Sequence, residues 1–117
     1  MPVIIVYGIP ENYPLEKLEK FMKALQSGVQ FHPSLKLQTD QVSVFFPRDR
    51  VQKGLGEEII IFVESLFEKK GRTVVVKTQY ARTLVRISKD FFPDALVECF
   101  IRPFVDEENI FWNSKYE

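Results

Sequence analysis

Residues 73–92 read TVVVKTQYARTLVRISKDFF, and the fold turns on whether they form a strand or a helix. Val74, Val75 and Val76 favour extended backbone by intrinsic preference. Against them, Val76, Tyr80, Leu84, Ile87 and Phe91 recur at steps of 4, 4, 3 and 4, with no Gly or Pro before Pro93. An apolar stripe sustained over that length outweighs three residues of weak preference. The spacing predicts a helix, with Thr73 as its N-cap.

Working outward, Glu58–Phe67 reads as a strand, Glu68-Lys69-Lys70-Gly71 as a turn, and Ala95–Val105 as a further strand. The first half of the chain repeats that order. Val3–Ile9 is a β-branched strand ended by Pro10, and Leu15, Leu18, Met22, Leu25 and Val29 mark one helical face. Pro14 suits the first turn of that helix and Gly28 its end. Gln30–Asp40 reads as a loop, Gln41–Phe46 as a strand closed by Pro47, and Arg48–Gly56 as a loop or exposed hairpin. A shift of 55 residues lays Val42 on Val97 and Phe45 on Phe100, and an arginine stands beside each closing proline, Arg48 and Arg102. Residues 1–117 therefore read as one domain of two fused β-α-β units, about 1–55 and 56–117. Right-handed crossovers place both helices on one side of the sheet. The fold class is α+β: a four-stranded mixed sheet with two helices on one face.

Composition fits a single domain with its own core: 117 residues, 45% hydrophobic and 27% charged. Sixteen basic residues balance sixteen acidic ones, and neither half is polycationic, which argues against nucleic-acid binding by phosphate neutralisation. Cys99 is the only cysteine, so no internal disulfide forms and a reducing cytoplasm is the expected location. The aliphatic runs Val3–Val6 and Ile59–Val63 are too short to cross a bilayer. His32 and Cys99 are far apart and offer no zinc-ligand spacing, so neither metal nor cofactor is expected. Gly54-Leu55-Gly56 lacks the Lys-Ser/Thr of a phosphate loop, and Asp106-Glu107-Glu108 reads as a solvated turn.

Several features taken in order carry a resemblance. Met1-Pro2 runs straight into a strand, Gly71-Arg72-Thr73 precedes a helix, Val97–Ile101 forms a closing strand, and Asn109–Trp112 is an aromatic tail. In these the chain resembles the tautomerase superfamily, which includes 4-oxalocrotonate tautomerase and macrophage migration inhibitory factor. The run Phe45-Phe46-Pro47-Arg48-Asp49 is most similar to its double-length, uncharacterised bacterial branch.

The resemblance implies that Met1 is removed and that Pro2 becomes a terminal secondary amine. That amine would act as general base in keto–enol isomerisation of a small 2-oxo or enol carboxylate. It implies that Arg72 holds the substrate carboxylate through a two-pronged guanidinium contact. Arg48, like Arg50 and Arg102, either lines the pocket or serves as a surface or intersubunit ion-pair residue. Trp112 either walls the site or closes a subunit interface. Glu98 stands where 4-oxalocrotonate tautomerase has a substrate-binding arginine, and is either a water-activating acid/base or a strand residue that faces solvent or pairs with an arginine. A homotrimer is implied, since pairing between subunits covers the open sheet edges. Two other readings stay open: a non-catalytic oligomeric binding module on the same fold, and a ferredoxin-like ligand- or RNA-binding domain. The latter would use Tyr7 and Phe45 as stacking platforms, and basic neighbours for them are missing.

Overall fold

A computed structural model describes residues 2–48, 57–105 and 108–116. The chain runs β1 (Val3–Tyr7), α1 (Leu15–Ser27), β2 (Ser43–Phe45), β3 (Glu58–Phe67), α2 (Val74–Phe91) and β4 (Leu96–Phe104). The strand order is β2-β1-β3-β4. β1 lies parallel to β2 and antiparallel to β3, and β3 lies parallel to β4. Two parallel β-α-β units thus join along an antiparallel seam, as the repeat implies. The disputed stretch is helical: the Thr73 hydroxyl accepts a hydrogen bond from the Val76 amide at 3.2 Å, satisfying one free donor of α2.

Ile4 and Val6 of β1 alternate inward with Ile59, Ile61 and Val63 of β3, all fully buried. Phe21 and Leu25 of α1 and Tyr80 and Leu84 of α2 close on them in one core, so both helices cover the same side of the sheet. The α1 stripe is rotated from the one read in the sequence. Leu15 is 69% exposed, while Phe21, outside that stripe, is fully buried. The aromatic cluster decides the rotation: Phe21 stacks on Phe46 at 5.6 Å and meets Phe91 and Phe92 at 5.1 and 5.4 Å. A ring buried among three others outweighs a leucine at the helix start.

β1 leaves the sheet at Gly8, where only glycine fits. Its φ is +95°, and a Cβ there would stand 2.1 Å from the Glu58 carbonyl oxygen. The segment read as a loop between α1 and β2 is wound into three short 3₁₀ turns, Gly28–Phe31, Pro33–Leu35 and Thr39–Gln41. Of the stretch Arg48–Gly56, read as a loop or an exposed hairpin, all but Arg48 lies outside the described residues, as do Met1, Asp106 and Glu107.

Among the described residues the other side of the sheet carries no α-helix. Tyr7, Phe62 and Phe100 form a row of rings across β1, β3 and β4, with centroids 5.9 and 5.4 Å apart. Arg102 lies 4.3 Å above the Phe62 ring and bonds Glu64 at 2.8 Å. Phe45, Leu96 and Phe100 are about half exposed there, at 58%, 51% and 48%.

Candidate functional site

Pro2 is buried immediately before β1, and its carbonyl accepts a hydrogen bond from the Ser43 amide at 3.3 Å, tying it to the start of β2. A small cavity of about 80 Å³ opens beside it. Arg72, Lys36 and Lys69 line this cavity, with Ser65, Phe67, Leu37 and Gln41 completing the wall. Pro2 and Arg72, 70 positions apart in the chain, meet because β1 and β3 are antiparallel. The start of one strand and the end of the other reach the same edge of the domain.

Each wall residue has a local cause. β3 bulges between Glu64 and Leu66, where Ser65 stands at φ +59°. The 3₁₀ turn Pro33–Leu35 ends on Lys36, whose φ and ψ of 56° and 44° are left-handed. Among the described residues, Lys36 and Ser65 are the only non-glycine residues at positive φ, and both line this one cavity. Backbone strain of about 1–3 kcal/mol per such residue gathers where a site over-determines the chain.

Arg72 is 5% exposed. Its Nε donates to the Leu35 carbonyl at 2.9 Å and its Nη1 to the Phe67 carbonyl at 2.6 Å. It therefore pins the turn that presents Lys36 to the end of β3, and among the described residues Nη2 forms no hydrogen bond. Burial lowers the Arg72 pKa, and Glu68 nearby opposes that shift.

The remaining predicted residues do not meet Pro2 within one chain. Arg48 follows β2 at the opposite end of the parallel pair and lines a different cavity. Glu98 pairs with Ile60 on the helix-free face, at the end of β3 far from Pro2. Trp112 is 66% exposed, next to Phe111, whose ring packs edge-on against Phe67 at 5.2 Å. That brings the aromatic tail to a residue of the Pro2 wall. Lys36, Ser65 and Lys69 were not picked out from the sequence. The positive φ of Lys36 and Ser65 is set by a turn and a bulge that leave no residue signature. Among the described residues no cluster of His, Cys, Asp and Glu has a metal-holding arrangement.

No sequence-family profile and no curated protein matches the chain. Solved structures do. A fused 4-oxalocrotonate tautomerase described as a symmetric trimer superposes with a TM-score of 0.68 at 18% identity, over 87% of this chain and 85% of that one. Macrophage migration inhibitory factor of Toxoplasma gondii superposes with 0.68 at 11% identity, over 93% and 95%. A domain of unknown function from Sebaldella termitidis gives 0.68 at 17% identity, over 97% and 96%. With its two β-α-β units and helix-free sheet face, the chain has the fold of the tautomerase superfamily in its double-length form.

Proposed function

We propose that the mature chain begins at Pro2 and is a tautomerase acting on a small 2-oxo or enol carboxylate. The observation that carries this reading is one cavity holding Pro2 together with Lys36, Lys69 and Arg72. While Met1 is attached, the Pro2 nitrogen is a tertiary amide without a basic lone pair. Removal of Met1 makes it a secondary amine. Burial and nearby cations then disfavour its protonated form and leave a base near neutral pH.

In this mechanism Lys36 and Lys69 hold the substrate carboxylate, and Arg72 Nη2 faces the oxygen on which enolate charge develops. Pro2 takes the proton next to the carbonyl and returns it to the carbon or oxygen that completes the isomer. Arg72 has a double duty, since its other donors fix the turn carrying Lys36.

The working unit is a homotrimer assembled through the helix-free sheet face, in a reducing cytoplasm. The ring row Tyr7–Phe62–Phe100 and the edge positions of β2 and β4 among the described strands support that assembly. Among the described residues no helix is long and apolar enough to cross a membrane.

A second reading, a non-catalytic oligomeric module, is favoured by the two backbone carbonyls that occupy Arg72. One experiment separates the two. Deuterium uptake at the carbon beside the carbonyl of 2-oxobutanoate and phenylpyruvate is followed with protein whose intact mass shows that Met1 is gone. The tautomerase reading expects Pro2→Ala to lower the rate about 100-fold or more. Equal rates for wild type and variant leave only the non-catalytic module.

A further inference from the structure

A second cavity, about 320 Å³, opens at the far end of the parallel pair β1–β2 from Pro2. That volume lies at the lower end of the roughly 300–1,000 Å³ of small-molecule sites. Crevices outside the carboxyl ends of parallel strands are where open α/β sheets commonly seat ligands.

The walls are built before any ligand arrives. Tyr13 is held against Phe92, with ring centroids 4.7 Å apart, and Phe46 is stacked on Phe21 at 5.6 Å. The Tyr13 amide donates to the Pro10 carbonyl at 3.0 Å, closing the turn that forms one rim. Pro10 and Pro47, both in the lining, fix their own φ, so little chain entropy remains to be lost on binding.

The chemistry of the lining is unusually specific for a surface cleft. Leu15 and Leu18 of α1 give it an apolar floor, with Leu15 69% exposed. The charged side chains in it are Glu11 and Arg48, one of each sign. Among the described residues neither forms an ion pair, with the other or with anything else; the pairs present are Lys77–Glu68 and Arg102–Glu64.

We propose that this cavity binds an apolar α-amino acid in its zwitterionic form. The carboxylate meets Arg48, the ammonium meets Glu11, and the side chain lies between Tyr13 and Phe46 over Leu15 and Leu18. A simple carboxylic acid would satisfy Arg48 and leave Glu11 facing a like charge. A simple amine would do the reverse. A ligand carrying both charges, with an apolar branch, answers the two charged groups and the apolar floor together. The site goes beyond the Pro2 cavity and does not rest on its activity.

The probes are L-leucine and L-phenylalanine, compared with 4-methylpentanoate and 3-methylbutylamine, which keep the leucine branch and lose one charge each. Binding is read by calorimetry and by amide chemical shifts. The amino acids are expected to shift Tyr13, Leu18 and Phe46 and to leave Lys36 and Ser65 in place. Each single-charge analogue should bind about tenfold more weakly or worse, and Glu11→Gln and Arg48→Gln should each weaken L-leucine by about tenfold. Both variants change exposed side chains, and unchanged amide spectra elsewhere establish that they fold. The proposal is overturned if neither amino acid shifts these residues at millimolar concentration. It is equally overturned if 4-methylpentanoate binds as tightly as leucine, or if Glu11→Gln has no effect.

Discussion

Tyr80 is fully buried on α2, and its hydroxyl has no hydrogen-bond partner among the described residues. An orphaned buried hydroxyl costs about 1–3 kcal/mol, so Tyr80→Phe should stabilise the fold by ~1 kcal/mol in urea unfolding. A loss of stability would mean the hydroxyl has a partner. Cys99 shows the same low polarity: burial pushes its thiol up to about 12. It should react with iodoacetamide at pH 8 at least tenfold more slowly than a free thiol, because little thiolate is present. Alkylation at the free-thiol rate would contradict that burial. At this scale part of the cavity lining was readable from sequence. Pro2 and Arg72 stand in recognisable local runs, and the structure brings them to one cavity. Lys36 and Ser65 were not readable, because their role follows from a positive φ that ordinary lysine and serine do not announce. Nor was it readable that Arg72 gives two donors to the Leu35 and Phe67 carbonyls.

Elements carry the next set of consequences. Thr73 caps α2, so Thr73→Ala should cost ~1 kcal/mol, and Thr73→Ser much less. Equal stability of all three proteins would remove the cap from the account. The turn before Lys36 is fastened to α2 by His32, whose Nε2 lies 2.7 Å from the Thr83 hydroxyl. Burial lowers the His32 pKa from its ordinary 6.5, so the folded state favours the neutral ring. Stability from this group is complete above the unfolded-state value and is lost as pH falls through the folded one. Between about pH 7 and 5 the wild type should therefore lose more stability than His32→Asn. Identical pH dependence would mean His32 does not contribute. The elements themselves were largely legible: the 4, 4, 3, 4 spacing in residues 73–92 was right despite three valines, because a buried stripe decides a helix once it has a sheet to pack on. The rotation of α1 onto Phe21 was not legible, since Phe46, Phe91 and Phe92 come from distant positions in the chain.

For the whole molecule, the helix-free face and the Pro2 cavity are the features on which the proposed assembly and activity rest. Among the described residues no helix covers the ring row across three strands; Arg102 lies over Phe62, and Phe100 at the end of the row is 48% exposed. Phe100→Asp should leave the helical far-UV spectrum intact and convert a trimer into monomers in sedimentation. A wild type that sediments as a monomer would remove the trimer from the account. The central proposal is chemical: with Met1 removed, Pro2 would be a free amine kept uncharged by burial and by the cations around it. Its most direct test is the ¹⁵N shift of Pro2 followed through pH in selectively labelled protein. The account predicts a nitrogen that titrates below the roughly 7.7–8.0 of an ordinary terminal amine. A nitrogen that does not titrate, as an amide behind a retained methionine would not, or one that titrates above that range, contradicts it.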